Sequence, residues 1–242
     1  CADDPGAWGL RDQVRRPVVG YGVGADADLR LEMMESRESG TRFRVARGGT
    51  SLGEVELSLP GAFNALNALA AIAVGLELDI EFEALAEACR TFAGVARRFE
   101  RCGERDGITV IDDYAHHPTE LTALFEATRQ AMPDRRIVAV FQPHLFSRTR
   151  DFASQFAASL LDADIAVVLP IYPAREKPIE GVSSVLVVEE ARRLGHPHVV
   201  AGPALDEVVE CIDELLEPGD VLLTVGAGDV DLIAQRWLGE AR

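Results

Sequence analysis

The sequence predicts an α/β protein: a parallel sheet with helices on both faces, preceded by an incomplete α/β portion. Three observations carry this. From about Gly103 onward, β-branched apolar runs alternate with helical patterns five times, and successive βα units imply right-handed crossovers and parallel strands. Before that point the chain reads as a β-meander followed by two helices, too little to close a domain by itself. Finally, the loops after the later strands carry titratable side chains, whereas the loops after the helices carry plain turn residues. That asymmetry is expected where a site lies at the carboxyl ends of the strands.

Taken in order, Val18–Tyr21 reads as a short strand. Leu29–Arg37, Arg42–Arg47 and Gly53–Leu59 alternate apolar with polar residues, which predicts three antiparallel strands turned at Ser39-Gly40 and Gly48-Gly49. Gly20-Tyr-Gly-Val-Gly24 imitates a dinucleotide fingerprint, but the glycine spacing is wrong and a strand follows instead of a helix. Pro60-Gly61 marks the change to helix over Phe63–Leu76, and Glu81–Phe92 predicts a second, amphipathic helix. The later strands are Ile108–Ile111, Ile137–Phe141, Ile165–Leu169, His198–Ala201 and Val221–Val225. Between and after them, Pro118–Ala131, Thr149–Leu161, Ser183–Leu194, Leu205–Leu216 and Val230–Leu238 carry the helical period. The expected domains are therefore 1–98 and 99–242.

Composition excludes several classes. With 48% hydrophobic and 26% charged residues the chain is of globular type. No apolar run approaches the roughly 20 residues of a membrane span, and no basic segment with an apolar core opens the chain. The net charge of −16 argues against nucleic acid or an anionic membrane as partner. The four cysteines show no Cys-x-x-Cys and no metal spacing, so they read as reduced thiols of a cytoplasmic protein.

The chemistry concentrates in the post-strand loops. After Ile111 come Asp112, Asp113, Tyr114, His116 and His117. After Phe141 come His144, Ser147, Arg148 and Thr149, and after Leu169 come Tyr172, Arg175, Glu176 and Lys177. Gly226-Ala-Gly-Asp229 follows the last strand. Arg148, Arg175 and Lys177 suit carboxylate or phosphate groups, although each alone is more often a solvated surface charge. Asp113 is placed to accept ribose hydroxyls, as acids after α/β strands do, and Asp112 to cap the turn. His144 reads either as a ligand-orienting residue or as a satisfied loop histidine. In the first predicted helix Asn64 and Asn67 share a face. Asn64 reads as a cap or, with Asn67, as an amide pair able to bond a purine edge. No P-loop and no nucleophile elbow occur in these residues.

Asp112-Asp-Tyr-Ala-His-His-Pro-Thr119, Phe141-Gln-Pro-His-Leu-Phe-Ser-Arg-Thr149, Tyr172-Pro-Ala-Arg-Glu-Lys-Pro-Ile179 and Val225-Gly-Ala-Gly-Asp229 closely resemble motifs of the Mur ligase family. Leu59-Pro-Gly-Ala-Phe-Asn-Ala-Leu-Asn-Ala68 and Arg97-Arg-Phe-Glu100 match in the same order, so the resemblance spans essentially the whole chain. It implies the end of a central ATPase domain followed by a Rossmann-like C-terminal domain. The implied reaction uses ATP to phosphorylate the carboxylate of UDP-N-acetylmuramate, and the amine of L-alanine then attacks the acyl phosphate. By the resemblance Asn64 and Asn67 sit at the adenine, Arg98 at the nucleotide phosphates and Asp113 at the ribose. Tyr114, His116, His144 and Arg148 face the alanine and muramate end. Arg98, Asp113, His116 and His144 are the implied catalytic set. ATP and Mg²⁺ are the implied cofactors, the principal metal ligands being expected in family segments that precede this stretch.

The family usually has His where Phe63 stands, which puts one nucleotide contact in doubt. The P-loop and UDP-binding domain of the family also lie ahead of the matched region, so the expectation is that this polypeptide alone does not ligate. The β-meander is expected to expose apolar surface and to favour self-association. Three other readings stand beside this one. They are a sister ligase that attaches recycled murein tripeptide, a metal-dependent hydrolase using Asp112, Asp113, His116, His117 and His144, and a non-catalytic binding fragment.

Overall fold

The computed structural model describes residues 1–239. The chain divides into two compact units, Cys1–Gly94 with Gln130–Met132, and Val95–Arg129 with Pro133–Arg242. The division falls after Gly94, a little before the expected boundary, so Arg97 and Arg98 belong to the second unit.

The first unit opens with a short helix, α1 (Pro5–Gly9), capped by Asp4, and a 3-10 turn at Arg11–Gln13. Neither was expected, because one turn of helix is too short to show a period. The expected strand at Val18–Tyr21 reduces to β1 (Tyr21–Gly22), parallel to β2 (Leu29–Arg37). Antiparallel β3 (Gly40–Arg47) and β4 (Thr50–Leu57) complete a sheet in the order β1-β2-β3-β4. Leu29, Leu31, Phe43, Val45, Val55 and Leu57 point to one face. There they meet Ala65, Leu69 and Ile72 of α2 (Ala62–Glu77) and Phe82 of α3 (Phe82–Thr91). Gly61, at φ 99° and ψ 144°, caps α2 in a conformation closed to most side chains. On this unit Met33, Val74 and Leu78 stand exposed.

The second unit is a six-stranded sheet in the order β5-β6-β10-β7-β8-β9. β5 (Glu100–Arg105) is antiparallel to β6 (Ile108–Asp113). β7 (Ile137–Phe141), β8 (Ile165–Val168), β9 (Val199–Ala201) and β10 (Val221–Val225) run parallel to β6. The edge strand β5 was not expected. Its residues are charged and mostly exposed, so no alternation marks it, and pairing with β6 across Asp106-Gly107 makes it a strand. Along β6, β7, β8 and β10 nearly every residue is buried, as in a sheet covered twice. Ile108, Val110, Val138, Val140, Val167 and Leu222 pack beneath α7 (Val208–Asp213) and α8 (Asp231–Leu238), with Trp237 buried among them. On the opposite face Phe141 meets Phe156 of α5 (Phe146–Leu160) at 5.2 Å between ring centroids. α5 packs against α6 (Val185–Arg193), and α4 (Pro118–Ala131) buries Leu121, Leu124 and Phe125. α7 is much shorter than the expected Leu205–Leu216 helix.

Strand order positions the site. Because β10 lies between β6 and β7, Val225 is level with Asp113 on one side and Phe141 on the other. The loops after β6, β10 and β7 therefore emerge side by side at a topological switch point.

Candidate functional site

β6 runs two residues further than its apolar run predicts and buries both acids. Two buried carboxylates are costly unless bonded, and each finds partners distant in sequence. Asp112 accepts from Thr224 Oγ1 at 2.5 Å and from Arg97 Nε at 2.9 Å. Burial nevertheless raises its pKa, offset in part by those two partners. Asp113 accepts from the backbone N–H of Phe99 at 2.7 Å and of Ala115 at 2.8 Å. Burial is the largest effect on Asp113 and lifts its pKa from 3.8 to about 6, against those two bonds and the nearby charge of Arg98. The expected ribose contact must therefore use the lone pairs that the backbone leaves free.

An acid whose pKa is raised on folding binds its proton more tightly in the folded state. Stability therefore increases as pH falls through about 6 toward the ordinary 3.8. Asp113→Asn removes that titration. The stability gap between the original sequence and the variant is expected to change across this pH interval in urea melts, whereas parallel profiles would contradict the assignment.

Arg97, adjacent to the expected phosphate ligand Arg98, is the staple of this region. Besides Asp112, it donates to Gly226 O at 2.6 Å and Gly228 O at 3.0 Å, and its own carbonyl accepts from Tyr114 N at 2.7 Å. The sequence reading missed it because two successive arginines look interchangeable until their partners are known. Arg98 stays exposed, with its guanidinium 5.7 Å from the Tyr114 ring and no carboxylate partner among the described residues.

The imidazoles form a row. His116 lies edge-on to Tyr114 at 5.2 Å and 5.9 Å from His144, which stacks on Tyr172 at 5.7 Å with 12° between planes. His116 Nδ1 is 2.9 Å from the Tyr114 carbonyl. A carbonyl can only accept, so Nδ1 carries the proton and Nε2 is the basic nitrogen of the neutral ring. His144 Nδ1 is buried without a partner. Burial first, then the charge of Arg148, lowers the His144 pKa, so this ring stays neutral at neutral pH. Arg148 donates weakly to His116 O at 3.4 Å and has no carboxylate partner among the described residues. Arg175 and Lys177 are exposed and likewise unpaired.

His117 has a structural part. It accepts from Thr119 N at 3.3 Å through Nδ1 and packs its edge on Phe152 at 5.1 Å, while Glu120 reaches back to the backbone N–H of His116 and His117. Gly228 approaches its neighbours closely: a Cβ there would strike Gln142 Oε1 and come within 2.7 Å of the Tyr172 ring. On α2 of the first unit, Asn64 is buried and donates from Nδ2 to Pro60 O at 2.8 Å, while Asn67 one turn on is exposed. Among the described residues no group of three or more His, Cys, Asp or Glu is placed to hold a metal ion. Asp112 and Asp113, two of the residues in the hydrolase reading, bond to Arg97, Thr224 and the backbone N–H of Phe99.

The sequence profile described as Mur ligase, glutamate ligase domain, matches residues 97–228, and that of the Mur ligase middle domain matches residues 1–75. A UDP-N-acetylmuramate–L-alanine ligase of Salinibacter ruber is 48% identical over 230 residues, covering 95% of this chain and 48% of the relative. The crystal structure of a UDP-N-acetylmuramate–alanine ligase from Thermotoga maritima superposes with a TM-score of 0.78 at 30% identity, covering 91% of this chain and 47% of that one. A murein peptide ligase from Psychrobacter arcticus shares the fold with a TM-score of 0.64 at 24% identity, covering 96% of this chain and 48% of its own. The chain thus spans about half the length of the curated relatives it matches.

Proposed function

The chain belongs to the Mur ligase family, and from that premise we propose that it forms the acceptor half of an ATP-dependent ligase joining L-alanine to UDP-N-acetylmuramate. The observation that carries the reading is the grouping of His116, His144 and Arg148, which offers a cation and two imidazoles to one zwitterion. Arg148 takes the carboxylate of alanine. His116 Nε2 accepts the proton that the ammonium must lose before its nitrogen can attack. In the overall reaction the muramate carboxylate takes the γ-phosphoryl group of ATP and releases ADP. The alanine nitrogen then attacks the acyl carbon, forming the amide and expelling phosphate.

Tyr114 lies beside His116 and bounds the acceptor end. For the nucleotide, the available groups fit in part. On the second unit, Arg98 offers phosphates a cation without a carboxylate partner among the described residues, and Asp113 offers ribose its remaining lone pairs. Taken by itself, the first unit offers a purine edge the amides of Asn67 and Asn64 Oδ1. ATP supplies the activated phosphoryl group when bound. Mg²⁺, where it accompanies ATP, is held largely by phosphate oxygens and water with one or two carboxylates. A cytoplasmic location fits four cysteines of which none is joined in a disulfide among the described residues.

The test is ADP release by the full-length ligase that carries this chain, with UDP-N-acetylmuramate present and either L-alanine or murein tripeptide as acceptor. Turnover with alanine supports the proposal. Turnover with tripeptide alone would transfer the chain to the sister activity.

A further inference from the structure

We propose that Glu176 is a positioning residue for the acceptor site, clamping the loop after β7 so that His144 and Arg148 are held in place. The proposal rests on the functional reading above. The loop after β8 does not stand free but is fastened to its neighbour. Tyr172 N donates to Pro143 O at 2.8 Å and Leu145 N to Tyr172 O at 2.9 Å, making a one-pair parallel bridge between His144 and Tyr172. The Tyr172 ring lies flat against the His144 imidazole. Glu176 closes the clamp: its carboxylate accepts from Ser147 N at 2.9 Å and from Ser147 Oγ at 2.5 Å.

Two features show that this clamp has work to do. Leu145, between His144 and the helix, sits at φ 71°, a region that non-glycine residues occupy only when their surroundings hold them there. Helix α5 also begins without a side-chain cap of its own at Leu145. The remote carboxylate of Glu176 supplies one and lies at the favourable end of the helix dipole. Arg148 belongs to the turn that this cap organises, one residue beyond Ser147. The bonds to Ser147 keep Glu176 ionised. Glu176, between Arg175 and Lys177, is therefore occupied in orienting the adjacent loop, not in accepting a substrate proton.

The experiment uses the full-length ligase with Glu176→Gln, Glu176→Ala and Ser147→Ala. Kinetics are measured separately for the amino acid and for ATP, and the His144 imidazole is followed by NMR through a pH titration. The proposal expects KM for the amino acid to rise, or kcat to fall, by about 10- to 100-fold in Glu176→Ala. Smaller changes are expected in Glu176→Gln and Ser147→Ala, each of which keeps one bond, and KM for ATP should not change. The His144 ring, which faces Arg148, His116 and Glu176, should titrate at lower pH once the carboxylate charge is gone. Unchanged amino-acid kinetics in a folded Glu176→Ala enzyme would overturn the clamp. An equal loss for both substrates with an unaltered His144 titration would also overturn it, by making Glu176 a stability residue alone. If the unmodified ligase shows no alanine-dependent turnover the functional reading fails, and the His144 titration still judges the clamp.

Discussion

Replacing His116 with Gln in the full-length ligase is expected to slow amide formation by about 10²- to 10⁴-fold, the usual contribution of a positioned base. Formation of the acyl phosphate should continue. The expectation follows from the tautomer that the Tyr114 carbonyl imposes on the His116 ring, which presents Nε2 as the basic nitrogen. Arg148, tied to the His116 carbonyl, places a carboxylate anchor beside it. Burial and the charge of Arg148, which lower the His144 pKa, likewise favour loss of a proton from an ammonium held beside them. Trapping the acyl phosphate with hydroxylamine separates the two steps. A variant that accumulates trapped product while releasing little amide bears out the role. One that loses both steps together would show that His116 supports the fold or the nucleotide instead.

The second large effect concerns stability. Arg97→Ala is expected to cost about 3–5 kcal/mol, the range for breaking one side of a buried ion pair. The Asp112 side chain is 2% exposed and that of Arg97 21%, so water cannot replace the lost guanidinium. The carbonyls of Gly226 and Gly228 lose their donors in the same step. Arg97→Lys keeps the charge but not the fork, and is expected to recover only part of the loss. Denaturant melts of the second unit's signal check this. Equal stability of all three proteins would show that the loops are held by their backbone bonds alone.

How much of this was legible in the sequence varies from element to element. β7 and β10 coincide with their apolar runs, because a strand buried on both faces needs no partner-specific information to be recognised. β5 was invisible, since charged edge residues become a strand only by pairing. The predicted β6 ended at Ile111, where apolarity ends. In the structure it continues through Asp112 and Asp113 because Arg97, Thr224 and Phe99 arrive to satisfy them. The start of α5 moved three residues earlier than Thr149 for the same kind of reason, its cap coming from Glu176 on another loop. The site residues Tyr114, His116, His144 and Arg148 were legible as types and do come together. What the sequence could not separate was Arg97 from Arg98, or Glu176 from an acid free to react, because those distinctions lie in partners remote along the chain.

The central claim, that the carboxyl edge of the second sheet receives the amino acid, has a direct test in the five histidines of this chain. His116, His117 and His144 stand at that edge, and His196 and His198 precede β9 at the other. In the full-length ligase with UDP-N-acetylmuramate and a non-hydrolysable ATP analogue, L-alanine is titrated while the imidazole signals are followed by NMR. The account predicts saturable shifts at His116 and His144 with none at His196 and His198, and loss of those shifts in Arg148→Ala. Saturable binding of alanine that leaves His116 and His144 unmoved would place the acceptor elsewhere and contradict it.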